Sequence, residues 1–218
     1  MKVILIGANG RMGKSLQQYF NEQSIVVLPI DIDNRSRLKD LIGDVIVDFS
    51  CSDALKENLE FAKSKNIPIV VATTNHSKEN LKLMNMYKQY LPIFYAPNMS
   101  IQFNLVASFI DKLKLLNGCD FVVEEAHHKH KKDKPSGSAK LLIKKLNNIS
   151  IKPKVYCVRA GSIVGEHSLK IYDQMENLEI KHTVLDRKVF CVGTLKACEF
   201  IIKKQNGLYN MENIIDSL

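Results

Sequence analysis

The chain of 218 residues has no tryptophan, few aromatics (7%), ten glycines and six prolines. With so little glycine and proline, neither a collagen-like or low-complexity architecture nor a long flexible linker is expected. No apolar run approaches the roughly 20 residues that span a bilayer, so no transmembrane helix is expected. The opening MKVILIGANG has a lysine and a short apolar stretch but no small-residue cleavage site. It runs directly into glycines and reads as a buried strand rather than a signal peptide. Five cysteines, Cys51, Cys119, Cys157, Cys191 and Cys198, are odd in number and lack metal-like pair spacing, which argues against a disulfide framework or zinc pattern. They read as reduced, buried thiols of a cytoplasmic protein. Acids are outnumbered, 23 against 31 basic residues, for a net charge of +8. Such an excess suits nucleic acid or a field that draws in small anions. The aromatic platform that stacks bases is missing, and much of the lysine reads as a solvated face.

What is present is alternation. Short apolar runs at residues 3–6, 25–30, 45–49, 67–72 and 93–95 are separated by helical patterns at 11–22, 54–65 and 78–89. Fully apolar strands between helices predict a Rossmann-like, doubly wound parallel sheet, a dinucleotide-binding domain over residues 1–98. The pattern then changes. A helical stretch at 102–116, a strand at 121–123 and a helix at 136–146 precede three runs at 155–159, 168–172 and 178–184, which alternate loosely, as antiparallel strands do. Residues 99–189 are therefore expected to form an α+β substrate-binding and oligomerisation domain with a mixed open sheet. A helix at 190–203 and a short closing segment at 206–218 would pack back on the first domain. The chain shows no internal repeat.

Gly7-Ala8-Asn9-Gly10-Arg11-Met12-Gly13 follows the first strand and opens the first helix. Glycines so spaced allow a tight turn, close approach of backbone N–H groups to a pyrophosphate, and close packing of helix on strand. Asp33, with Asp31 as the nearer alternative, falls where an acid receives ribose hydroxyls. A carboxylate there disfavours a 2′-phosphate and points to NADH, whereas Arg11, Arg35 and Arg37 could offset the repulsion and admit NADPH.

The densest chemistry lies in residues 124–140, EEAHHKHKKDKPSGSAK, which hold three of the six histidines. His127 and His128 end a strand and Lys131 follows closely. Pro135-Ser136-Gly137-Ser138 reads as a helix start, with Ser136 as cap and Gly137 and Ser138 offering donors. Such a start beside lysine and histidine is a carboxylate receptor, and neighbouring His and Lys depress each other's pKa toward that of a general acid near neutrality. No acid or cysteine is spaced here as a metal ligand. Lys129, Lys132 and Lys134 read as solvated.

Together GANGRMG, EAHHKHKKDKPSGSA and RAGSIVGEH (residues 159–167) resemble the dihydrodipicolinate reductase family. VDFS (47–50), ATT (72–74), APNMS (96–100) and GLYNM (207–211) extend the resemblance over nearly the whole chain. It implies NADH- or NADPH-dependent reduction of a cyclic unsaturated dicarboxylate on the route to diaminopimelate and lysine. The substrate's conjugated imine would accept hydride at ring C4. By motif, His127 and Lys131 resemble the catalytic pair, and His128, Lys131, Gly137 and Ser138 the substrate-carboxylate contacts. Gly7, Asn9, Gly10, Arg11 and Met12 resemble the pyrophosphate loop and Asp33 the ribose acid. Ala72, Thr73, Thr74, Ala96, Asn98 and Met99 resemble the wall beside the nicotinamide. A homotetramer built through the second domain's sheet is also implied, with no metal, nucleic acid or membrane partner.

The chain departs from the family pattern in three places. Asn75 stands where the family has the last glycine of Gly-Thr-Thr-Gly, leaving the backbone there less free. Asn34 replaces a basic residue that often follows the ribose acid. The stretch at 147–155 is short and lacks a glycine-rich piece. The rival readings are a non-catalytic NAD(P) sensor and a nucleic-acid binder.

Overall fold

The structure, a computed structural model, describes residues 1–116 and 118–217. It divides into two compact units, Met1–Met99 with Lys188–Leu218, and Ser100–Arg187. In the first unit, apolar runs form β1 (Lys2–Ile6), β2 (Val26–Ile30), β3 (Val45–Asp48), β4 (Ile69–Val71) and β5 (Pro92–Tyr95), buried at the centre of the sheet and more open at β2, where only Ile30 is buried. These pair in parallel in the order β5-β4-β3-β1-β2. A sixth strand, β10 (Gly207–Tyr209), adds in parallel beside β5. Three residues long, it is too short to carry a period that distinguishes it from a closing loop.

Alternate residues of each strand supply two cores, so the strands are apolar save at ends such as Lys2 and Asp48. Val3, Leu5, Val45 and Val47 pack on one face with Leu16 and Phe20 of α1 (Arg11–Glu22) and Ala197, Cys198 and Ile201 of α6 (Lys188–Ile201). Ile4, Ile6, Ile46 and Ile69 pack on the other with Leu55 and Leu59 of α2 (Leu55–Lys65) and Met84 of α3 (Lys78–Tyr87). A Cβ on Gly193 would lie 1.7 Å from the Met99 carbonyl oxygen, so glycine lets α6 lie directly against that backbone. A short α7 (Met211–Ile215) closes the unit.

The second unit opens with α4 (Ile101–Phe109), which tightens into a 3-10 helix over Ile110–Leu116 where one continuous helix was expected. Then follow β6 (Asp120–His127), α5 (Gly137–Asn148), β7 (Lys154–Arg159), β8 (Glu166–Tyr172) and β9 (Asn177–Thr183). The sheet order is β7-β6-β8-β9. β8 and β9 are antiparallel as their pattern predicts, but β7 runs parallel to β6. The crossover through α5 makes β6-α5-β7 a βαβ unit, and β7 alternates because only one of its faces is covered. Phe121, Val123, Leu169 and Ile171 pack beneath Phe103, Leu142 and Leu146. Tyr156, Val158 and Tyr172 are exposed. The short link after α5 turns at Ser150, φ 67°, before β7. Of the five free thiols only Cys191 and Cys198 are buried, Cys119 and Cys157 are intermediate and Cys51 is exposed, which corrects the expectation of buried cysteines.

Candidate functional site

Parallel strands bring all their carboxyl ends to one edge of the first unit, the place where open α/β sheets bind ligands. Gly7 follows β1 with φ 86°, and a Cβ there would come within 2.6 Å of the Phe49 carbonyl. A Cβ on Gly13 would reach 2.2 Å from the Gly7 oxygen, so α1 can approach the turn only with glycine. Gly10 caps α1 with no side-chain acceptor, leaving the first-turn N–H groups of exposed Arg11, half-buried Met12 and buried Gly13 to face an anion. This cradle fits a dinucleotide pyrophosphate. Asn9 is exposed beside it, but its N–H already donates to Asp31 at 2.7 Å. Asp31 also accepts from Ile32 N–H, and forms a capping box with Asn34 at the head of the 3-10 helix Ile32–Asp40. Asp33, one turn-step later, is exposed. Ala72, Thr73 and Thr74 follow β4, and Ala96, Asn98 and Met99 follow β5, on the same edge; all but Thr74 are buried. Asn75 takes φ 61°. The left-handed turn that glycine would supply is thus kept by asparagine, the residue that tolerates it best after glycine.

The second unit holds the histidine-rich site. Phe121, Val123, Glu125 and His127 share the inner face of β6, so the strand's period turns both polar groups toward the core end. Glu125 is 2% exposed. One carboxylate oxygen accepts from His127 Nδ1 and the other from Arg159 at 2.7 Å. Arg159 also donates to the Asp133 carbonyl at 2.6 Å, pinning the loop after β6. Burial opposes the charge on Glu125, but hydrogen bonds from Arg159 and Cys157 and the nearby His127 outweigh it and hold the carboxyl below its usual range. Because a carboxylate only accepts, His127 carries its proton on Nδ1 and keeps Nε2 as an acceptor. Burial lowers the His127 pKa; Glu125 opposes this, and the Lys131 charge adds to the lowering. Gly165 clears the approach, since a Cβ there would sit 3.2 Å from Nε2.

Ser136 caps α5, accepting from Ala139 N–H at 3.2 Å. Gly137 and Ser138 stand in the first turn, each half-buried, and His128 is half-buried before the loop. Lys131 Nζ lies 2.8 Å from Asp133, and although burial opposes the charge, the lysine, with the backbone N–H groups of Asp133 and Gly137 adding to it, holds that carboxyl below its usual range. Lysine and helix start therefore already grip one carboxyl group.

Glu125, Asp133, Arg159, His167 and His182 join the site without a motif of their own along the chain. His167 of β8 lies opposite Glu125, and His182 of β9 opposite His167. The rings form a row, His127 to His167 at a centroid distance of 5.2 Å and His167 to His182 at 6.4 Å. His167 Nε2 meets Ser136 Oγ and His182 Nε2 meets Ser100 Oγ, each at 3.2 Å. Glu125, His127 and His167 also offer ligand atoms within 4.8 Å of one another, a cluster that spacing along the chain concealed. Both Glu125 oxygens are already bonded, one to a guanidinium, so the set is arranged for hydrogen bonding rather than for a cation.

Burial drives the His167 pKa down to about 3 from an ordinary 6.5, with His127 adding to the shift. The unfolded chain binds a proton there below pH 6.5 and the folded one does not, so stability falls as pH drops from about 6.5 toward 3. His167→Phe, which keeps a ring between Phe103 and His182, should flatten this acid-side slope. Urea melts at pH 7, 5.5 and 4 would measure it, and an unchanged slope would exclude His167 as its source.

Two sequence profiles match the chain, "Dihydrodipicolinate reductase, N-terminus" over residues 1–99 and "Dihydrodipicolinate reductase, C-terminus" over residues 100–215. The 4-hydroxy-tetrahydrodipicolinate reductase of Clostridium novyi is 38% identical, covering 99% of this chain and 98% of its own. That of Thermosipho africanus is 35% identical over the same shares, 99% and 98%. A dipicolinate-bound dihydrodipicolinate reductase from Paenisporosarcina sp. TG-14 shares the fold with a TM-score of 0.79 at 19% identity, over 98% of this chain and 99% of its own. With sequence profiles covering both units and full-length relatives above 30% identity, the chain belongs to the dihydrodipicolinate reductase family.

Proposed function

We propose that the protein reduces 4-hydroxy-tetrahydrodipicolinate to tetrahydrodipicolinate with NADH, releasing water. The observation that carries this reading is the grip of Lys131 and the Gly137 N–H on the Asp133 carboxylate. A substrate carboxylate would be held by the same donors, with Ser138 and His128 beside it. A bound reduced nicotinamide supplies the hydride. The chain's own residues supply the proton that balances it at the neighbouring ring carbon. Lys131 is the standing cation and proton source. His127, held by Glu125 as the Nδ1–H tautomer and largely neutral at neutral pH, is the relay. Any imidazolium formed there is a stronger acid than ordinary histidine, which favours delivery. Holding the ring by a carboxylate supplies orientation.

NADH is favoured over NADPH by three features around the ribose position. Asp33 is exposed at the head of its 3-10 helix. The Asn34 side chain is turned inward onto Asp31 N–H and the Pro29 carbonyl. Arg35, the nearest cation along the chain, is anchored at 2.9 Å on Glu57 and 2.6 Å on Asn58. A 2′-phosphate would meet a carboxylate without those partners. Further copies of the chain docking through the exposed Tyr156, Val158 and Tyr172 would build the tetramer that the resemblance implies. Among the described residues no helix is long and apolar enough to cross a membrane, and a cytoplasmic site suits free thiols. The test is a spectrophotometric assay coupled to the preceding synthase from pyruvate and aspartate semialdehyde. NADH oxidation should exceed NADPH oxidation by roughly tenfold or more in kcat/KM. No oxidation of either cofactor would reject the function, and a preference for NADPH would reject the ribose assignment.

A further inference from the structure

We infer that His76 is a positioning residue for the cofactor, fixing the Thr73 hydroxyl as a hydrogen-bond donor to the nicotinamide carboxamide. The inference rests on the nicotinamide reading above. It begins at α3, where the capping Ser77 accepts from the backbone N–H of Asn80. That cap aims the Asn80 side chain back over the loop. Its Nδ2 donates to the Ser52 carbonyl at 2.9 Å, which settles which end of the amide is nitrogen. The same Nδ2 lies 3.2 Å from His76 Nδ1. An amide nitrogen has no lone pair to offer, so His76 Nδ1 must be the acceptor. The imidazole is therefore neutral with its proton on Nε2. Nε2 lies 2.7 Å from Thr73 Oγ1 and donates to it. With its oxygen accepting, the Thr73 hydroxyl directs its own proton to another acceptor, at the sheet edge beside Ala72.

Other contacts support the same protonation state. The Tyr95 ring packs edge-on to His76 at 5.5 Å, and burial raises the Tyr95 pKa, so no charge comes from that side. Asp48, the charged group felt from β3, is committed to Ser50 and Asn58. Burial lowers the His76 pKa and outweighs the pull of Asp48. Asn75, in its left-handed turn, places His76 at the right distance from Thr73. The relay thus runs from the Ser52 carbonyl through Asn80 and His76 to one hydroxyl, whose donor sense it fixes.

Two variants separate bonding from packing. His76→Phe keeps a ring against Tyr95 but removes both bonds; His76→Gln loses the ring but can accept from Asn80 and donate to Thr73. NADH and ADP-ribose, which lacks the nicotinamide, are titrated calorimetrically against each protein. His76→Phe should weaken NADH about five- to tenfold and leave ADP-ribose unchanged, while His76→Gln stays close to wild type. In a Thr73→Val background, His76→Phe should add nothing further. Nitrogen NMR of the free protein should show His76 as the Nε2–H tautomer. Equal weakening of both ligands, additive effects with Thr73→Val, or the Nδ1–H tautomer would each overturn the inference. Failure of the wild-type protein to bind NADH would instead overturn the cofactor reading beneath it.

Discussion

Lys131→Ala should lower kcat by about 10²–10⁴-fold while leaving NADH affinity nearly unchanged. The substitution removes the proton source and one of the two donors that hold a carboxylate. The loss should therefore appear in both kcat and kcat/KM. Asp133 loses its 2.8 Å partner, but the Ser136 cap on the Ala139 N–H is untouched, so the helix start stays capped and the fold survives. Stopped-flow single turnovers would separate the chemical step from binding. Wild-type-like turnover in this variant would remove Lys131 from the mechanism. The fluorescence titration of NADH, run in parallel, guards against a general loss of folding.

Glu125→Gln carries the second large expectation, on activity and stability together. Glutamine fits the space, but it presents an N–H₂ where one of the two donors now points. Either His127 loses the acceptor that fixes its tautomer, or Arg159 is left with an unpaired charge at a largely buried site. Breaking a buried pair by removing one partner costs about 3–5 kcal/mol, and the remaining bonds of Arg159 to the Asp133 and Val158 carbonyls place the expectation at about 3 kcal/mol. The kcat should fall about 10²-fold through the misoriented imidazole. Urea denaturation and steady-state kinetics on the same preparation measure both. If kcat is unaffected while stability drops, Glu125 is a structural residue and the orienting role is wrong.

Glu125 and Arg159 meet through the fold and not along the chain. The first unit was legible because strands buried on both faces are apolar without interruption, as at residues 3–6 and 45–47. The glycine turn adds a steric signature that backbone distances at Gly7 and Gly13 explain. The Ser136 cap was legible from local chemistry alone. β10 was not, because three residues at a sheet edge carry no usable pattern. Nor was the parallel sense of β7, since alternation reports which faces are covered and says nothing of strand direction. Glu125, Arg159, His167 and His182 come together only through cross-strand pairing, and the chain spaces them up to 57 residues apart. The one local hint was the alternation Glu125-Ala126-His127, which sets a carboxylate and an imidazole on one face. Asn75 was expected to restrict the backbone, yet its side chain is among the few that accept the left-handed turn.

The pairing of β6 with β8 has a consequence for how this protein can misfold. Side chains on a strand alternate faces, so a slip of β6 by a single residue would carry Glu125 and His127 to the solvent side. Phe121 and Val123 would leave the core in the same movement. A one-residue slip therefore loses hydrophobic burial and the proton machinery together, whereas a two-residue slip keeps the faces but moves Glu125 from its place opposite His167. A population of such sheets would hold fully competent and fully inert molecules with no graded series between them, so specific activity would count correctly registered chains.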